Sequence, residues 1–405
     1  MDFELTEEQK MIKKTARELA EKKIAPIAAE IDKTGEIPEE IIKKIADLGF
    51  FGTLIPPPFG GAGGSRLDHL IIVEEIAAAS ASVAWSLASS SEVAFCILAF
   101  GNDEQKKKYL PSLAKGEKLG AFAIAEPSGG TNWMITMQTK ATAEGDEYVV
   151  KGSKCFISNA GEADTYIVLL RTDPTKGPMG ISALIIDKDT PGFSFGQRDD
   201  KLGLRGDSTG ELSFDNCRVP KGNLLGREGD GMAIFQAEGA LSCASQAAVF
   251  AGIAIAALDS TVKYVKERKI ANQGTLANFE NVQSTISDMT IKVEAAKLLA
   301  HRSGMSTGKG PDPIVMLVPT FCSEIAIDVT SEAIRLHGGY GCMKEFPVER
   351  YFRDARTLCQ QKSLDYVKIQ VGKMLLDVPL GPSPPKASDP PRTTTERKVS
   401  LVTPE

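Results

Sequence analysis

Apolar residues recur at close to helical spacing through the first third of the chain. After a capping-box pattern, in which Thr6 is followed three residues later by Gln9, this spacing predicts a helix over residues 6–33. Pro26 should interrupt that helix, because proline has no backbone N–H to donate. A second helix is predicted at 38–48, and further segments rich in Ala, Ser and Leu follow. The first third is therefore predicted to be all-helical.

The pattern changes near residue 120, where short β-prone runs replace the helical spacing. Turn signals such as Glu144-Gly145-Asp146 separate these runs. The runs lie at residues 148–150, 165–170, 182–186 and 211–214. The sequence therefore predicts an antiparallel β-domain of roughly 110 residues, a usual size for a domain.

Helical spacing returns from Gly231 onwards. The predicted helices lie at residues 233–269, 279–303, 313–336 and 364–376. Four helices of this length suit a bundle, and such bundles often supply contacts between subunits. After Pro379 the chain is rich in Pro, Ser, Thr and charged residues and has almost no apolar content, so this tail is predicted to be disordered.

These patterns together predict an α+β fold built from consecutive domains. The predicted domains are an N-terminal helical domain (1–118), a middle antiparallel β-domain (119–230), a C-terminal four-helix bundle (231–379) and a disordered tail (380–405). This order of domains fits several classes of enzyme and identifies none of them by itself.

Composition narrows the range of functions. The 405 residues carry a net charge of −6, with basic residues spread along the chain, so no nucleic-acid partner is indicated. No apolar run appears long enough to span a membrane and the first residues do not resemble a signal peptide, so the expected location is the cytoplasm. Seven scattered cysteines favour reduced thiols, and three dispersed histidines do not suit a metal site.

Four blocks of sequence carry a more specific pattern than the domain order. The last of them joins a glycine pair, a Pro-Val-Glu-Arg corner and an Arg-Asp-Ala-Arg helix. The blocks lie at residues 123–132, 152–160, 203–226 and 336–356. In this order they resemble the acyl-CoA dehydrogenase family, and the resemblance covers nearly all of the chain except the tail.

In the resembled family these blocks bind FAD and the thioester end of an acyl-CoA substrate. An aromatic residue stacks on the flavin ring, a nearby hydroxyl holds it, and an arginine reaches the pyrophosphate. The resemblance therefore implies a flavin site formed by Glu126, Thr131, Phe156, Ser158, Arg268, Arg335, Gly338 and Gly339. Arg335 stands where the family usually has a glutamine that touches FAD from a neighbouring subunit. The family also implies an electron-transferring flavoprotein as electron acceptor and a homo- or hetero-oligomer, expected to be a tetramer.

The same resemblance indicates that the usual catalytic base is replaced. The family's glutamate removes the α-proton while the β-hydrogen leaves as hydride, and it stands six residues past the C-terminal signature, where this chain has Lys362. Some members place the glutamate on the first helix of the bundle, and the two corresponding positions are Ser242 and Cys243. Some flavin contacts are also reduced, since Ala125 lacks the family's hydroxyl and Ala271 replaces an aromatic residue.

Glu92 is the first candidate for a relocated base. It interrupts a Ser/Ala-rich helix that borders the acyl pocket in the resembled fold, and a carboxyl group among apolar neighbours has a raised pKa. The alternative interpretation is an exposed glutamate on a helix. Lys362 is the second candidate, although it must be neutral to accept a proton, and Glu238 is the third.

Three functions are compatible with these residues. The first is an active FAD-dependent dehydrogenase that introduces a double bond into an acyl-CoA thioester with a relocated base. The second is a flavoprotein of the same fold with different chemistry on a thioester, and the third is a non-catalytic subunit of a hetero-oligomer. The sequence favours the dehydrogenase, because the whole flavin-facing strand motif is present.

Overall fold

The computed structural model describes residues 4–130, 133–305, 312–360 and 364–378, without the side chains of 364–366. It has the predicted α+β architecture of an N-terminal helical part, a middle β-sheet and a C-terminal helical bundle. The predicted disordered tail lies outside the described residues.

The N-terminal part is helical, as predicted. Its helices are α1 (Glu7–Leu19), α2 (Ala28–Thr34), α3 (Glu39–Asp47), α4 (Arg66–Ala79), α5 (Ala81–Phe100) and α6 (Asp103–Ala114). The capping box is present, since the Thr6 hydroxyl accepts from the Gln9 N–H and the Gln9 side chain accepts from the Thr6 N–H. The predicted interruption at Pro26 is confirmed, because a π-helical turn (Ala20–Ile24) and a 3₁₀ turn (Ala25–Ile27) that contains Pro26 separate α1 from α2.

The middle part is an eight-stranded sheet with the short helix α7 (Trp133–Thr136) beside it. Its strands are β1 (Gly120–Ala123), β2 (Lys140–Glu144), β3 (Glu147–Ser158), β4 (Thr165–Arg171), β5 (Ile181–Asp187), β6 (Phe193–Arg198), β7 (Thr209–Pro220) and β8 (Leu224–Leu225). The spatial order is β6-β7-β3-β2-β4-β5-β8, and β1 also pairs with β4. Most pairs are antiparallel as predicted, but β4 pairs in parallel with β1 and β2, which the sequence pattern did not indicate.

The C-terminal part contains the four predicted helices and one from the signature block. They are α8 (Gly231–Glu267), α9 (Glu280–Gly304), α10 (Pro313–His337), α11 (Val348–Leu358) and α12 (Leu364–Leu375), with a small hairpin of β9 (Lys269–Ile270) and β10 (Gly274–Thr275) after α8. Helix α8 packs against α4, α5, α9, α10 and α11, so it is central to the molecule. At Gly252 the backbones of α8 and α4 approach closely, because a Cβ there would lie 2.4 Å from the Glu74 carbonyl oxygen.

Three helices contain apolar windows long enough to span a membrane, which the sequence analysis did not expect. By length and composition alone, the segments Ala81–Phe100, Gly231–Glu267 and Pro313–Cys342 are able to cross a membrane, so the statement that no apolar run reaches spanning length is wrong. In the folded chain, 78%, 89% and 50% of their most apolar windows are buried inside the protein. This burial fits helices of a protein core.

The C-terminal signature joins all three parts of the molecule. Arg353 in α11 donates two hydrogen bonds to the Asp32 carboxylate of α2, at 2.7 and 2.9 Å, and a third to the carbonyl of Leu202 in the β6–β7 loop. Asp354 accepts the backbone N–H of Leu204 in the same loop at 2.7 Å, and burial raises the pKa of its carboxyl to about 6. The Arg-Asp pair is therefore a clamp between domains.

Candidate active site

The end of strand β3 presents an aromatic ring to solvent in a strained conformation. Phe156 has a φ of 57° and is 74% exposed, although bulky residues seldom occupy the left-handed region. The β3–β7 register shifts between Lys154 and Ile157, so the strand bulges where the ring turns outwards. Strain combined with exposure is typical of a residue held for binding.

Ser158 lies two residues further along and belongs to a buried polar network. Its hydroxyl accepts the indole N–H of Trp85 at 3.0 Å and donates to Asp207 at 3.1 Å. Lys201 donates to the same Asp207 carboxylate at 3.1 Å. Because a serine hydroxyl has a single proton, Ser158 retains one lone pair as its means of holding a bound group.

Asn159 connects the same strand end to helix α5. Its side-chain amide donates to the carbonyls of Ser86 and Gly120, and the Ser86 hydroxyl donates to the Asn159 oxygen at 2.7 Å. Trp85 and Ser86 therefore fix the end of β3 against α5. The sequence analysis did not identify these residues, although Trp85 is one of two tryptophans in the chain and stands out in a Ser/Ala-rich helix.

Glu126 is buried and paired with a buried lysine. Lys154 donates to the Glu126 carboxylate at 2.9 Å, and the backbone N–H groups of Gln138 and Thr139 donate to it at 2.6 and 2.9 Å. Burial lowers the pKa of Lys154 to about 8, although the charge of Glu126 counteracts this. Both carboxylate oxygens of Glu126 thus accept hydrogen bonds within the protein, which indicates a role in holding the 123–130 loop beside β3.

The bundle brings four of the predicted flavin residues together. Arg268, Arg335, Gly338 and Gly339 line one cavity of about 460 Å³, together with aromatic residues such as Tyr340. The Arg268 guanidinium lies 5.2 Å from the centroid of the Tyr340 ring. A Cβ added to either glycine would meet nothing within 4 Å, so the floor of this cavity is open to a ligand.

Arg335 is held in place at the edge of that cavity. Its guanidinium donates to Glu332 at 2.8 Å and to the Thr285 hydroxyl at 3.1 Å. The group remains about half exposed, so its free N–H donors are accessible. Two guanidinium groups beside an open backbone turn suit a ligand with phosphate groups.

Glu92 is buried in the protein interior and does not lie on the solvent-exposed face of its helix. It is 3% exposed, so the alternative interpretation of an exposed glutamate is wrong. On α5 it follows Trp85 by seven residues, which places both side chains on one face of the helix, about 10 Å apart along its axis. Glu238 in α8 is 5% exposed.

Of the remaining predicted site residues, some lie outside the described part of the chain and others are buried in α8. Thr131 and Lys362 lie outside the described residues, so their roles stay predictions. Ser242 and Cys243 are buried in α8, and Ser242 is one turn beyond Glu238. The predicted site residues in the described part of the chain thus fall into three groups, namely those at the end of β3, those around the arginine-lined cavity and those buried in α5 and α8.

Comparison with known proteins gives matches over almost the whole chain. Three family models match, described as the acyl-CoA dehydrogenase N-terminal domain over residues 6–117, middle domain over 121–217 and C-terminal domain over 229–359. A relative named acryloyl-CoA reductase (NADH), from Anaerotignum propionicum, is 42% identical over 361 residues, which cover 88% of this chain and 91% of the relative.

Solved structures resemble the fold equally well. Butyryl-CoA dehydrogenase from Megasphaera elsdenii has a TM-score of 0.90 at 37% identity, covering 93% of this chain and 100% of that one. A chain from a structure described as the electron transferring flavoprotein of Acidaminococcus fermentans has a TM-score of 0.90 at 39% identity, with coverage of 93% and 100%.

Proposed function

Because this chain belongs to the acyl-CoA dehydrogenase family, we propose that it is an FAD-dependent oxidoreductase that introduces a double bond into an acyl-CoA thioester, with Glu92 as its base. Oxidoreductase chemistry on acyl-CoA substrates is common to its relatives. Glu92 is assigned as the base because of its position in the structure. It is buried on the face of α5 whose Trp85 touches Ser158, in the strand that would hold the flavin.

The residues present fit FAD. Phe156 offers an exposed ring for stacking on a flat heterocycle, and Ser158 lies beside it with one free lone pair. Arg268 and Arg335 offer guanidinium groups to a pyrophosphate, at a turn whose glycines leave room for it. When bound, FAD supplies the acceptor for the hydride that leaves the carbon next to the deprotonated one.

The role of Glu92 is to take the proton. Its carboxylate accepts a proton from one carbon of the acyl chain, the electron pair of that C–H bond forms the double bond, and a hydride departs from the neighbouring carbon. A general base of this kind is most effective when its pKa lies near the working pH, and burial favours such a pKa for a carboxyl group.

The electron partner, the oligomeric state and the cellular location of this chain are proposed from its relatives. The similarity to a chain from an electron-transferring flavoprotein structure supports such a flavoprotein as the electron partner. The name of the Anaerotignum relative records the reverse direction, a reduction, and the same proton and hydride positions serve either direction. An oligomer, expected to be a tetramer, and a cytoplasmic location stay predictions.

The proposal is tested by a visible absorption spectrum of the purified protein, recorded without oxygen before and after addition of a panel of acyl-CoAs. Bleaching of flavin absorbance by one thioester is the expected result, and it would also identify the acyl group. Flavin that no acyl-CoA reduces would favour other chemistry on a thioester. A colourless protein that takes up no added FAD would favour the non-catalytic subunit.

Phe156 provides a test of cofactor binding alone. We expect Phe156→Asn to lower the affinity for FAD about tenfold, because the stacking ring is lost. Since asparagine tolerates the left-handed region, stability of the FAD-free protein should be retained or rise by up to about 1 kcal/mol. Fluorescence titration with FAD and thermal unfolding of the apoprotein measure the two effects.

Phe156→Tyr is the matched control and should bind FAD like the unchanged protein. If the asparagine variant keeps full affinity for FAD, then Phe156 does not stack on the flavin.

A further inference from the structure

Helices α5 and α8 pack against each other in opposite directions. The interface between them, called here the α5–α8 seam, contains the buried carboxylates of Glu92 and Glu238. Residues from the first half of α5, such as Ala88, share a core cluster with Ala248 of α8. Residues from its second half, such as Cys96, share another cluster with Ile234, near the start of α8. Between these two points, Glu92 lies opposite the stretch of α8 that begins at Glu238.

Both carboxylates face that seam. Glu92 is one helical turn from Cys96 on α5, and Glu238 is one turn from Ile234 on α8, so each shares the face of a residue in the common cluster. The thiol of Cys96 is fully buried, and its pKa is raised first by burial and then by the negative charges of Glu238 and Glu92. The two carboxylates therefore lie within electrostatic reach of one thiol.

We propose that Glu92 and Glu238 work as a carboxylate pair, in which Glu92 takes the substrate proton and Glu238 is a positioning residue that raises the basicity of Glu92. This rests on the proposed function, since it concerns the base of the same reaction. A second negative charge in the same buried interface disfavours ionisation of a carboxylate. The pair thus gives a glutamate the basicity that deprotonation of an acyl chain requires.

Among the described residues of the helices packed against α5, the other titratable groups have different surroundings. On α4, Arg66 lies over an aromatic ring of α5, and burial lowers the pKa of His69 to about 4, so that it is neutral at pH 7. On α6, Tyr109 bonds to Lys108. Strand β1 carries no titratable side chain, and the other charged residues of α8 lie near its C-terminal end. The two buried acidic residues of α4 have partners, Glu74 with His301 and Glu75 with Arg17, and Asp68 bonds at the N-terminal end of that helix.

The test is the pH dependence of flavin reduction by the acyl-CoA that bleaches the protein. Loss of the negative charge in Glu238→Gln makes ionisation of Glu92 easier, so the acidic limb of the rate profile should move to lower pH by about one unit or more. Glu238→Asp keeps the charge and should keep the limb near its original position. An unshifted limb in Glu238→Gln, or an equal shift in both variants, would overturn the proposal.

A second readout needs no turnover. Infrared difference spectra between the unchanged apoprotein and Glu92→Gln isolate the carboxyl band of Glu92, and its titration should move to lower pH when Glu238→Gln is present in both samples. The band should not move if Glu238 has only a structural role. If instead Glu92→Gln reduces its flavin at the original rate, the proposed base is wrong, and this failure is distinct from an unshifted limb.

Discussion

Glu92→Gln is expected to slow flavin reduction by acyl-CoA about 10²–10⁴-fold, the usual contribution of a positioned general base. Glutamine has the shape of glutamate but accepts no proton at neutral pH, so the C–H bond has no base to receive its proton. Binding of FAD should be unchanged, because the predicted flavin residues lie on β3 and in the bundle cavity. Stopped-flow absorbance without oxygen measures the reduction, and the spectrum of the purified variant measures retained FAD.

Glu104→Gln in α6 is a suitable control, because it removes an exposed carboxylate from a neighbouring helix and should leave the rate unchanged. Lys362→Met tests the other candidate base. If the methionine variant loses reduction while Glu92→Gln retains it, the base is the lysine at the family's usual position.

Arg353→Ala is expected to destabilise the protein strongly. It removes the partner of the Asp32 and Glu349 carboxylates, whose side chains are only 14% and 16% exposed, together with a hydrogen bond to Leu202. Breaking a largely buried ion pair from one side costs about 3–5 kcal/mol. Because Arg353 joins all three parts of the molecule, we also expect calorimetric unfolding of the variant to show less cooperative transitions than that of the unchanged protein.

Arg218→Ala is the matched control for that experiment. Arg218 also bonds to two carboxylates, Glu144 and Glu147, but it is 55% exposed and its pairs are on the surface. Exposed ion pairs contribute little, so the transition temperature should not change measurably. Equal effects of the two arginine variants in calorimetry would show that the clamp does not hold the domains together.

The order and type of the elements could be read from the sequence, because helical spacing and β-prone runs are local properties. The interruption at Pro26 and the long helix after Gly231 are examples. The parallel pairing of β1 with β4 was not predictable in this way, since it depends on contacts between Gly120 and Thr165 that no local pattern specifies.

The site was predictable only in part. Motifs singled out Phe156 but not its φ of 57°, which follows from a bulge against β7. Periodicity placed Glu92 on a helix but did not show that α8 covers that helix, nor that Glu238 lies in the same seam. The C-terminal signature was recognisable as a motif, yet its bond from Arg353 to Asp32 joins residues at opposite ends of the chain.

The packing of α5 against α8 has a consequence for the newly made chain. Helix α5 is apolar enough to resemble a membrane span, and much of its cover comes from α8, which begins only at Gly231. At ribosomal speed α8 emerges on the order of ten seconds after α5. During that interval the nascent polypeptide exposes a long apolar segment, so it is most prone to aggregation before α8 has been synthesised.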